Sequence, residues 1–106
     1  MALVVITIRD VADRFRGFLS SVMLEASPNM FVSPTMNPRV RERVWAVVRD
    51  WHQQERRGSL VMVWRDLSAV GGVGIANLGD PPRELVEVDG MWLVRRRASK
   101  FDGTAP

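Results

Sequence analysis

The 106 residues are enough for one domain with a modest core, and a content of 46% apolar and 25% charged residues excludes a disordered tail. The absence of cysteine excludes disulfides and thiolate metal sites. The net charge is only +3, yet the basic side is 14 arginines and a single lysine, Lys100. Arginine's planar fork suits phosphate and carboxylate, so the bias points to polyanion or protein recognition, or else to arginine-rich codon usage.

MALVVITI is too short for a signal segment, and no stretch approaches the roughly 18 apolar residues that a membrane span requires. A soluble cytoplasmic protein is expected, with no membrane partner.

Residues 2–8 form a β-branched apolar run that predicts a strand. Asp10 then reads as the N-cap of a helix, with Asp13 near the third helical position. Phe15, Phe18, Leu19, Val22 and Ala26 make its apolar stripe, and Pro28 stops it. NMFVS (29–33) predicts a short second strand. Asn37 before Pro38 starts a second helix, in which Val40, Val44, Val47, Val48 and Trp51 follow at helical spacing and Gly58 is the expected C′ residue. SLVMVW (59–64) and GVGIANL (72–78) read as paired strands, and ELVEV and MWLVRRR as a last hairpin joined by Asp89 and Gly90. Residues 98–106 read as a flexible tail beyond a domain of residues 1–97.

This order predicts an α+β fold, a ferredoxin-like sandwich with two helices on one face of an antiparallel sheet and a C-terminal hairpin. Two helices cover one face only, whereas strands 2–8 and 59–64 are apolar at nearly every position. A second copy of the chain is the economical lid, so a homodimer is expected.

On a helical wheel Arg14 and Arg16 flank the apolar stripe on opposite sides, and Gly17, Ser20 and Ser21 lie between them on the outward face. A glycine inside a helix costs roughly 1 kcal/mol relative to alanine. A low surface framed by two cationic forks would let a phosphate backbone approach closely, although a solvated helix with snorkelling arginines has the same pattern. Asp10, at the end of the first strand, is either the helix cap or a carboxylate for Mg²⁺, and a symmetry mate would supply a second one. His52, the only histidine, has no second ligand at metal spacing and reads as edge packing. The glycines at 71, 72 and 74 precede no helix and make no P-loop, and GVGIANL lacks the aromatics of an RNA-stacking platform. The four tryptophans read as core and interface anchors.

RFRGFL, LEASPNMFV, RVRERVW, GSLVMVW and EVDGMWLV resemble, in order and spacing, CRISPR-associated protein 2 of the type I-E subtype, over about residues 3–95. The resemblance implies a ferredoxin-like homodimer that bridges dimers of the CRISPR integrase, CRISPR-associated protein 1, and clamps double-stranded prespacer DNA for spacer acquisition. Arg14 and Arg16 match the arginines that hold the DNA backbone. A second arginine pair is implied just before the terminal hairpin, where this chain has Pro82 and Arg83, with Arg95–Arg97 as an alternative source of charge. The hairpin at about 84–95 matches the integrase-docking segment, which makes Glu84, Leu85, Val86, Val88, Met91, Trp92, Leu93 and Val94 the expected partner contacts. The family is also described as a Mg-dependent endonuclease, which would make paired Asp10 residues catalytic and metal-binding. IRDVAD departs from the subtype's Glu-Asn-Val-Pro-Pro run and is one residue longer. A protein-interaction module without nucleic acid is the third class of reading.

Overall fold

The first strand forms where β-branched residues alternate between two environments. In a computed structural model, which describes residues 2–79 and 84–95, β1 (Ala2–Arg9) turns Val4, Ile6 and Ile8 into the core and leaves Leu3 and Thr7 exposed on the other side. Its neighbours are β3 (Met30–Met36) and β4 (Ser59–Arg65), both antiparallel. Outside these lie β2 (Leu24–Ser27) and β5 (Val73–Leu78), giving a five-stranded sheet of order β2-β3-β1-β4-β5. Helices α1 (Asp13–Val22) and α2 (Pro38–Glu55) each connect two strands that run in the same direction and leave room for a strand between them. The result is a mixed α+β fold with an antiparallel sheet and two helices.

The strand registers separate the two faces. Phe31, Ile6 and Met62 lie side by side across the sheet beneath Phe15 and Leu19 of α1 and Val44 and Val48 of α2, all buried. Burying each of these large side chains contributes roughly 1.5–3 kcal/mol. Trp51 closes the seam between the helices, with its ring 5.5 Å from those of both Phe15 and Phe18. Gly74 lacks a side chain for a steric reason: a Cβ there would come within 2.2 Å of the Trp64 indole, which Arg41 covers from 4.3 Å. On the opposite face Leu24, Val32, Val5, Val63 and Ile75 form one apolar row through all five strands, Leu24 exposed and the other four half-buried.

Several expected boundaries move. The first helix starts at Asp13, not after an Asp10 cap, because Asp10 takes a left-handed turn conformation (φ 57°) and its carbonyl accepts from Arg57. The N-cap is Ala12, which makes no side-chain cap bond. The helix stops at Val22 rather than near Pro28, since Leu24–Ser27 pair with β3, and Ala26 therefore belongs to a strand. Pro28 and left-handed Asn29 (φ 67°) turn that hairpin. The second strand runs on to Met36, and Pro34 sits beyond its last pairing with β2, where a missing N–H costs no ladder bond to that strand.

Asn37 caps α2 as expected, its side chain accepting from the Val40 amide at 3.0 Å. The left-handed residue at the other end is Arg56 (φ 51°), two positions before Gly58. A 3₁₀ turn (Val70–Gly72) leads from β4 to β5. Ahead of it Asp66 accepts from the amide and hydroxyl of Ser68, which hold its carboxyl below the usual range. The last hairpin, β6 (Glu84–Val88) and β7 (Met91–Arg95), forms as expected around Asp89 and Gly90, both at positive φ as a type I′ turn requires. It is a separate two-stranded sheet, tied to the start of β5 by Trp92, whose Nε1 donates to the Val73 carbonyl at 3.3 Å.

Candidate nucleic-acid interface

Gly17 lies on the solvent side of α1, and a Cβ built there would meet nothing within 4 Å. Packing inside the chain therefore gives no reason for a glycine, and the helix would gain by an alanine. The two arginines beside it diverge as the wheel implies. Arg14 leans toward α2, its guanidinium 4.7 Å from the Trp51 ring centroid and 3.0 Å from the Glu55 carboxylate. Arg16 leans the other way, toward β2, where Nη1 meets Glu25 at 2.5 Å and Nη2 donates to the Asn29 side chain.

Both forks thus carry an internal carboxylate, which the wheel could not reveal because Glu25 and Glu55 arrive from other elements. Glu25 pairs across the sheet with Phe31, which puts its side chain on the helix side within reach of Arg16. The Asn29 amide also donates to Glu25 at 3.1 Å, so this carboxylate is held in place by the β2–β3 turn. Both arginine side chains keep close to half of their surface in solvent, at 40% and 45% exposed. Exposed pairs of this kind are worth about 0–1 kcal/mol, so they hold the two guanidiniums only weakly.

Asp10 sits at the same end of the molecule. Its backbone carbonyl accepts from Arg57 Nε at 3.1 Å, and its exposed side chain belongs to a left-handed turn. Among the described residues no group of three or more His, Cys, Asp or Glu side chains is placed to hold a metal. His52 is half-buried and its Nε2 donates to the Gly58 carbonyl at 3.0 Å, in keeping with an edge-packing role. Arg83, Arg96, Arg97 and the tail at 98–106 lie outside the described residues.

The hairpin places Val88, Met91, Trp92, Leu93 and Val94 at its surface, between 36% and 57% exposed, with Val86 half-buried. Glu84 and Leu85 lie in β6 opposite Arg95 and Val94. Three of the four tryptophans, Trp45, Trp51 and Trp64, pack against the core, and Trp92 belongs to the hairpin.

No helix of the described residues is long and apolar enough to cross a membrane. The class is therefore an α+β protein with helices on one sheet face, an apolar row on the other and an arginine-flanked glycine at one end. Residues 3–93 match the family described as CRISPR-associated protein (Cas_Cas2CT1978), and the chain belongs to this Cas2 family. Membership suggests a role in CRISPR adaptation. No curated protein matches the chain.

Proposed function

We propose that the chain is the dimeric, DNA-binding scaffold of the CRISPR adaptation complex, of the type I-E kind, bridging integrase dimers and clamping prespacer duplex DNA. The observation that carries this reading is Gly17, bare on its solvent side and bracketed by Arg14 and Arg16. A phosphodiester seated over Gly17 takes hydrogen bonds from both forks as they leave Glu55 and Glu25. These contacts read charge and backbone spacing and carry no base information. Such a clamp holds a duplex of any sequence, which a device that captures foreign DNA requires.

The strand order supports a ferredoxin-like sandwich, and the apolar row from Leu24 to Ile75, on the sheet face away from the helices, supports a second copy as its lid. The exposed apolar residues of β6 and β7 support docking on the integrase, CRISPR-associated protein 1.

Gly17→Leu tests the carrying observation. The new side chain enters open space and removes a poor helix former, so the protein is expected to melt at the same or a higher temperature while binding duplex DNA at least several-fold more weakly. Unchanged DNA affinity in the stabilised variant would show that the glycine is merely tolerated.

A further inference from the structure

Among the described residues a third guanidinium stands at this end of the molecule with its terminal fork uncommitted. Arg57 donates through Nε to the Asp10 carbonyl, and neither Nη group has a hydrogen bond or ion pair among the described residues. Arg14 and Arg16 differ in that carboxylates occupy their forks.

The ground beneath Arg57 is rigid. Arg56 before it is the left-handed cap of α2, its amide donating to the His52 carbonyl at 2.6 Å. Gly58 after it is also left-handed, and its Cα lies so close to the Arg9 and Asp10 carbonyls that a Cβ would stand 2.3 and 2.4 Å from them. Arg57 is thereby fixed at the backbone on both sides and at Nε. An arginine held this way loses little rotamer freedom when it meets an anion, and its two Nη groups match two phosphate oxygens. Glu55, the partner of Arg14, lies only two residues before Arg57, so both arginines stand at the C-terminal end of α2.

We infer that Arg57 is a further phosphate-binding residue, extending the backbone clamp from Arg14 across the end of α2. The inference rests on the DNA-binding reading above. Its ligand is the phosphodiester of duplex DNA, contacted without regard to sequence. Arg57 gives this end a contact that needs no internal carboxylate to be displaced.

The test is titration of the full chain, together with the integrase, into a labelled duplex of random sequence at several salt concentrations. Arg57→Gln removes the charge and the fork and keeps a donor for the Asp10 carbonyl, while Arg57→Lys keeps the charge. Arg49→Ala removes an exposed arginine elsewhere on α2. Arg57→Gln is expected to reduce the slope of log K against log salt by about 0.9 and the affinity roughly tenfold, with Arg57→Lys keeping the slope and Arg49→Ala leaving it unchanged. The inference is overturned if Arg57→Gln leaves the slope alone while Arg14→Ala lowers it, or if Arg49→Ala and Arg57→Gln act equally, since then only net charge matters. If Arg14→Ala, Arg16→Ala and Arg57→Gln all leave the slope unchanged, the DNA-binding reading fails and takes the inference with it.

Discussion

Replacing Arg14 and Arg16 together by alanine is expected to weaken duplex binding by roughly two orders of magnitude and to lower the salt slope by about 1.8 per chain. Each guanidinium offers charge-assisted hydrogen bonds to a phosphate oxygen, and each gives up only an exposed intramolecular pair to do so. The fold should tolerate the change. Phe15 and Leu19 hold α1 to the sheet, and the arginines contribute no more than surface pairs and a cation–π contact with Trp51. The effect should be uniform across DNA sequences, because neither residue is framed to read a base edge. A fluorescence titration at three or more salt concentrations measures both quantities. A double variant with the parent's slope would remove the arginines from the interface.

Gly58→Ala is expected to cost about 3–5 kcal/mol, a large share of the 5–15 kcal/mol typical of a folded domain. A left-handed conformation penalises any L side chain by roughly 1–2 kcal/mol. Here the added Cβ would also stand 2.3 Å from the Arg9 carbonyl and 2.4 Å from that of Asp10, and both obstacles are backbone. No flexible side chain can yield, so the start of β4 and the end of β1 must separate. That junction carries the Arg9–Ser59 pairing and the Asp10 carbonyl on which Arg57 rests. Urea unfolding at fixed protein concentration measures the loss. A loss below about 1 kcal/mol would mean that the two loops are looser than the close approach implies.

What could be read beforehand was what is encoded locally. Asn37-Pro38 announces α2 because a side-chain acceptor and a preset φ act within one turn, and Asp89-Gly90 announces the last hairpin because both residues tolerate positive φ. The strand Leu24–Ser27 was hidden, since LEAS is short, half polar and continues the helical stripe through Ala26. A signal did exist in Pro28-Asn29, a proline followed by a residue that accepts a left-handed conformation, the mark of a tight turn between two strands. Asp10 was misplaced for a related reason. Aspartate suits a helix cap and a left-handed turn equally, and only the tertiary contact with residues 57 and 58 decides between them.

The candidate site divides in the same way. Helical periodicity alone placed Arg14 and Arg16 on opposite flanks of Gly17. Their carboxylate partners lie 41 residues away in sequence for Arg14 and nine for Arg16, on elements whose placement depends on the sheet register. Arg57 carried no sequence signal beyond its charge, because its distinction is a bond to a backbone carbonyl 47 residues away.

The measurement that bears most directly on the scaffold reading is titration of the purified chain into a labelled random-sequence duplex, with and without the integrase, in Mg²⁺ and across a range of salt. Tight, salt-sensitive binding that requires both proteins and leaves the duplex intact is the expected result. Cleavage by the chain alone, abolished by Asp10→Asn in a folded protein, would contradict the account and make the arginines substrate-positioning residues of a nuclease.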